Sequence, residues 1–145
     1  MALVLFLSAG VLGVFGVRTG TVAAAGGGYE LRVRYATVAR PGLAVPWEVT
    51  IRRPGGFDGP VTLATDEAYF DLFDENSFDP EPTSTVSDGR RLIWEFDPPP
   101  DSDTMTVSLD TRTGPNTQWG DSATTEILEG GRPVVAVTYR TRVMP

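Results

Sequence analysis

Tyr29-Glu30-Leu31-Arg32-Val33-Arg34-Tyr35 decides the fold. Apolar Tyr29, Leu31, Val33 and Tyr35 take every second position, and charged Glu30, Arg32 and Arg34 fill the gaps. Successive side chains of an extended chain point to opposite faces, so the stretch reads as a half-buried strand with a charged outer face. The pattern recurs where Val45, Trp47, Val49 and Ile51 alternate with Pro46, Glu48, Thr50 and Arg52. Proline has no N–H to donate, so Pro46 suits the first residues of a strand or an edge.

Working outward, turn signals separate further alternating runs. Ala39-Arg40-Pro41-Gly42 and Arg53-Pro54-Gly55-Gly56 bracket the second run. Val61, Leu63 and Thr65 follow as a shorter strand, and Thr83 to Val86 is weak strand. Leu92, Trp94 and Phe96 oppose Ile93 and Glu95, and Asp97-Pro98-Pro99-Pro100-Asp101 makes a stiff turn. Met105, Val107 and Leu109 alternate with Thr104, Thr106 and Ser108. Thr124 to Leu128 and Pro133 to Val143 flank Gly130-Gly131, a two-residue hairpin turn. Trp47 and Trp94 fall on inward positions. Arg32, Arg34, Arg140 and Arg142 give the first and last strands a charged outer face that discourages edge pairing.

Between these runs the alternation breaks. Asp66 is placed to cap a short helix with an apolar face of Ala68, Tyr69, Leu72 and Phe73. Asp74 to Pro82 reads as a polar, acidic loop, and Arg112 to Asp121 as a second long loop. About eight short strands, with turns roughly every ten residues, predict an all-β protein. The expected architecture is an immunoglobulin-like antiparallel β-sandwich of about 7–9 strands, preceded by one N-terminal hydrophobic helix.

That helix is expected from Met1 to Val17, MALVLFLSAGVLGVFGV, which has no charge and Ser8 as its one polar side chain. The run is short for a bilayer span and also fits the apolar part of a signal peptide. Ala23-x-Ala25 supplies a small-residue cleavage site. Nothing basic precedes the apolar run, so a native start further upstream, or a shortened chain, is expected. The chain therefore divides into 1–22, a signal peptide or transmembrane anchor helix; 23–28, an Ala/Gly-rich linker; and 29–145, the sandwich. The expected location is the cell membrane, single-pass through residues 2–17 with the domain outside the cytoplasm. The alternative is secretion after cleavage near Ala25.

Composition narrows the chemistry. The 145 residues include no cysteine and no histidine, and all 12 basic residues are arginine. Thiolate nucleophiles, disulfides, Ser–His pairs, Schiff bases and a P-loop lysine are excluded. The formal charge of −7 opposes a phosphate backbone, so no nucleic-acid partner is expected. No G-x-S-x-G occurs, and no cofactor is implied.

Candidate contact residues are the aromatics Tyr69, Phe70, Phe73 and Phe78 in the irregular segment, and Trp119 in the second loop. An exposed aromatic patch docks partners or lipid headgroups; the same residues otherwise cap the core. Asp71, Asp74 and Asp79 are a weak calcium candidate within the acidic stretch, because carboxylates are hard oxygen ligands. Their spacing lacks the D-x-D-x-D-G pattern and its glycine, and a solvated acidic loop is the preferred reading, with no metal expected.

Ile93-Trp94-Glu95-Phe96-Asp97-Pro98-Pro99-Pro100 followed by Thr104 to Leu109, together with Pro41 to Ile51, resembles the bacterial conserved-repeat class of Ig-like domains of adhesion-like, cell-surface proteins. The resemblance covers Tyr29 to Thr113. It implies a sandwich fold, an extracytoplasmic location and a role in attachment or docking, and it carries no catalytic residues. One domain stands here rather than an array, which fits an accessory subunit better than a spacer. The reading is a non-enzymatic interaction or accessory module, whose partner is another membrane or envelope protein. A carbohydrate or cell-wall binding domain using exposed aromatics is the alternative, and a carboxylate-based hydrolase the third.

Overall fold

A computed structural model describes residues 18–114 and 120–144. In chain order the elements are β1 (Arg18–Gly26), β2 (Tyr29–Ala39), β3 (Ala44–Arg52), β4 (Val61–Asp66), the short helix α1 (Glu67–Phe70), β5 (Phe73–Asp79), β6 (Ser84–Ser87), β7 (Arg91–Phe96), β8 (Thr104–Thr113), β9 (Asp121–Glu129) and β10 (Arg132–Val143). The chain is all-β, as the alternation predicts. The strands form one sheet of order β5-β8-β3-β2-β10-β9-β4-β7-β6, with β1 added on β2.

The sheet is mixed rather than purely antiparallel. β2 pairs antiparallel with β3 from Glu30 to Tyr35, then runs parallel to β10 where Val38 and Ala39 meet Arg142 and Val143. This change of partner curls the sheet, so that the half carrying β3 and β8 faces the half carrying β4, β7 and β9. Trp47 on β3 meets Trp94 on β7 with ring centroids 5.9 Å apart.

The deciding stretch behaves as its alternation demands. Leu31, Val33 and Tyr35 register against Ile51, Val49 and Trp47, apolar pairs on one face. Glu30, Arg32 and Arg34 stand exposed on the other. Each large side chain buried this way contributes roughly 1.5–3 kcal/mol. Pro46 sits one residue beyond the last β2–β3 pair, where its missing N–H costs β2 nothing. Gly130 and Gly131 both adopt positive φ, 59° and 79°, and close the β9–β10 hairpin.

Three segments depart from expectation. Residues 18–22, expected within the N-terminal helix, and 23–26, expected within the linker, form β1, which pairs with β2 along its whole length. Its small side chains are a packing requirement. A Cβ on Gly26 would collide with the Val134 carbonyl oxygen, and one on Gly27 would lie 2.6 Å from the Val134 side chain. Val22 and Ala24 pack against the core. Residues 1–17 lie outside the described residues.

The expected acidic loop, 74–82, begins as edge strand β5 on β8, with a register shift between Asp74 and Ser77. A helix does follow Asp66, over four residues, but Asp66 does not cap it with its side chain. Its carboxylate instead accepts the Thr124 N–H at 2.9 Å, tying β4 to β9.

Candidate functional site

The expected contact aromatics come from α1 and β5, and the structure sends them inward. Tyr69, Phe70 and Phe73 are buried, and Phe78 is half-buried against the core. Phe70 stands edge-on to Trp47 at 5.2 Å and to Trp94 at 5.3 Å, while Phe78 reaches Trp94 at 5.0 Å and Phe96 at 6.1 Å. Edge-to-face rings at these spacings attract one another beyond their area burial. These four residues close the core where the two halves of the sheet part, and they present no docking patch. Trp119 lies outside the described residues.

Two polar chains run through this core. Trp47 Nε1–H donates to the Tyr139 hydroxyl at 2.9 Å, which lies 2.8 Å from the Thr125 hydroxyl, itself 3.1 Å from that of Thr65. The Tyr69 and Thr141 hydroxyls are 2.6 Å apart, and Thr141 donates to the Ala36 carbonyl oxygen. Burial pushes the Tyr139 hydroxyl up to about 12 and that of Tyr69 further up. With their hydrogen bonds made, these groups brace β3, β4, β9 and β10. The inward parity of Thr125 and Thr141 on alternating strands was the available sequence signal.

The calcium candidates do not converge. Asp71 lies in the turn before β5 and Asp79 ends that strand, so the two stand at opposite ends of β5. Calcium needs its oxygens within about 2.6 Å. The side chain of Asp74 lies outside the described residues. Among the described residues no three acidic groups are placed to hold a metal ion.

Two open clefts lie at opposite ends of the molecule. One, of ≈ 900 Å³, runs between Gly55–Gly59 and Pro98–Asp103. Arg53 pairs there with Asp58 and lies over the Tyr29 ring, 5.5 Å from its centroid. The other, of ≈ 590 Å³, lies among Asp66, Glu67, Asp71, Arg90 and Asp121. Each is shallow and mostly polar.

The sheet's two ends differ. β5 carries Asp74, Glu75 and Asp79 and an irregular register, devices that blunt an edge. β6 carries Ser84-Thr85-Val86-Ser87, all exposed and none charged, and Val86 is 56% exposed. Its hairpin with β7 is pinned by Asp88, whose Oδ1 accepts the N–H groups of Arg91 and Arg90 at 2.7 and 2.9 Å. Those backbone donors hold the Asp88 carboxyl below the usual range. An uncharged, exposed edge strand with a hydrogen-bonded turn is the described element best suited to receive another chain. The sequence offered it only as a weak strand.

No family model matches the chain. No curated protein matches it. Among solved structures it is similar, at 11% identity and a TM-score of 0.34, to Pseudomonas fluorescens alkylpurine DNA glycosylase AlkC bound to DNA containing an abasic site analog. The match covers 73% of this chain and 28% of that one. A likeness of that size carries no argument about fold or function.

Proposed function

We propose that the chain is a non-enzymatic, extracytoplasmic Ig-like module, anchored in the membrane through residues 2–17, that holds another envelope protein at the free edge of β6. The observation that carries the docking role is the uncharged, exposed edge strand Ser84–Ser87. Such an edge offers unpaired backbone donors and acceptors to an extended segment, and Val86 offers an apolar contact.

The strand pairing supports the Ig-like reading. β2, β3, β8 and β5 take the places of the A, B, E and D strands, and β10, β9 and β4 those of G, F and C, with β7 beside β4. The order departs from that scheme in sending the chain through β5 before β6 and β7. A non-catalytic role is supported by the lack of cysteine, histidine and lysine in the sequence. Retention of the N-terminal segment is favoured over cleavage near Ala25, because a cut there leaves only Gly26 of the nine-residue β1.

Val86→Lys is expected to reduce recovery of the partner from detergent-solubilised membranes at least tenfold, about 1.4 kcal/mol of binding. Val86→Thr, which keeps an uncharged β-branched residue at the edge, should retain it. Equal recovery with wild type and Val86→Lys would remove β6 as the docking edge.

A further inference from the structure

We propose that the end of the domain where β1 begins is a membrane-contact face for anionic lipid, with Leu43 and Met144 entering the headgroup layer and a ring of arginines meeting its phosphates. The proposal rests on the membrane-anchored reading above and adds which surface of the domain touches the bilayer.

Chain geometry supplies the first argument. The uncharged, apolar residues 2–17 run directly into Arg18, the first residue of β1. Whatever those residues enter lies next to this end of the domain, with no spacer between them and the folded sheet.

What gathers there supplies the second. Arg18 and Arg142 are both registered against Val38. The Ala39 carbonyl oxygen accepts the Met144 N–H at 2.9 Å, and the Arg40 carbonyl oxygen accepts the Leu43 N–H at 3.2 Å. Arg112 Nη1 donates to the Gly42 carbonyl oxygen at 3.3 Å. Four arginines and two large apolar side chains thus gather where the ends of β1, β2, β8 and β10 and the turn before β3 come together. Leu43 is 46% exposed and Met144 49%. The third large exposed apolar residue among the described ones is Val86, on the β6 edge. Guanidinium groups bind phosphate oxygens through two parallel N–H donors, and exposed Leu and Met gain by leaving water for the acyl boundary.

Charge polarity supplies the third. The opposite end carries Asp58, Asp97, Asp101, Asp103 and Glu129 around the turns that close it, against Arg52, Arg53 and Arg132. Arg52 pairs with Asp103 and Arg53 with Asp58, so carboxylates are in excess there. An anionic surface repels that end and attracts the arginine end. Asp66, Glu67, Asp71 and Asp121 lie at the arginine end too, on the β4–β9 flank. Contact is therefore made by the β1–β2–β10 flank, and the domain leans toward it.

The absence of native cysteine makes the test direct. Full-length Leu43→Cys, Met144→Cys, Val86→Cys and Asp101→Cys carry an environment-sensitive fluorophore and are reconstituted into phosphatidylglycerol–phosphatidylcholine vesicles or into pure phosphatidylcholine. Labels at 43 and 144 should shift to the blue and be quenched several-fold more by a lipid-borne quencher than labels at 86 and 101. The contrast should shrink in pure phosphatidylcholine, where the anchor still inserts, and with Arg40→Glu/Arg142→Glu. Vesicle-bound protein whose labels at 43 and 144 are as wet as those at 86 and 101, or equally immersed in both lipids, overturns the contact face and leaves the anchor standing. Failure to associate with either vesicle overturns both.

Discussion

Replacing Trp47 with alanine is expected to lower the unfolding free energy by about 3–5 kcal/mol, the range for deleting a fully buried large aromatic. Domains of this kind have about 5–15 kcal/mol in all, so the loss is a large share of the total. Trp47 is 1% exposed and central to the aromatic cluster, edge-on to Phe70, Phe78 and Trp94. The truncation leaves a cavity between the two halves of the sheet and also removes the N–H that the Tyr139 hydroxyl accepts. Trp47→Phe separates the two effects, because it keeps an aromatic ring but removes the N–H, a loss of about 1 kcal/mol for one hydrogen bond. Urea denaturation followed by circular dichroism reads both. A shift of less than about 1 kcal/mol for Trp47→Ala would mean that the two halves do not share this core.

Alkaline pH is expected to unfold the protein steeply. Tyr139 and Tyr69 are buried, and burial keeps both hydroxyls protonated well above the ordinary tyrosine value, Tyr139 to about 12 and Tyr69 beyond it. An unfolded tyrosine ionises near 10. Below about pH 10 both states hold the proton and this contribution to stability is fully present; above it the unfolded chain loses the proton while the native chain keeps it. Each further pH unit then removes about 1.4 kcal/mol per buried tyrosine. Tyr139 alone removes about 2.7 kcal/mol by pH 12, and Tyr69 adds the same slope across that window. Thermal midpoints should fall sharply between pH 10 and 12, and tyrosinate absorbance from these two residues should arrive together with unfolding. Tyr139→Phe should halve the slope while lowering stability at neutral pH, since Trp47 and Thr125 lose a partner. Full tyrosinate absorbance near pH 10 in a still-folded protein would contradict the buried network.

The strands that were legible are those whose inward face is built of large apolar residues. β2, β3, β7, β8 and β10 declare themselves because Leu31, Val49, Trp94, Val107 and Val137 recur at period two and must all reach one core. β1 did not, because Arg18 to Gly26 offers only Val22 as a large apolar side chain. The small residues that resemble a linker are there because Gly20 packs against Thr37 and Tyr35, and Gly26 against Val134. β5 was hidden by an irregular register and by a charge density typical of loops.

Tyr69 and Phe73 lie at helical spacing, but Phe70 and Phe78 fit neither that face nor a strand period, so the burial of the group depends on where α1 and β5 cross the open side of the sheet. The polar network was the least legible part. Thr65 meets Thr125 across 60 positions, and Thr141 meets Ala36 across 105. No local pattern announces such pairs. Of the proposed surfaces, Leu43 and Met144 are unremarkable singly, and only the pairing of β2 with β1 and β10 brings them beside the arginines.

The proposed anchor requires that the folded domain keep β1 and, through the apolar residues before it, stay in the membrane. Intact-mass analysis of the protein from fractionated cells of its native host tests this directly. The expected result is a species released from membranes only by detergent, whose mass includes Arg18–Gly26 and the segment preceding it. A soluble species starting at Gly26, or recovery of the chain from the cytosol, would contradict it.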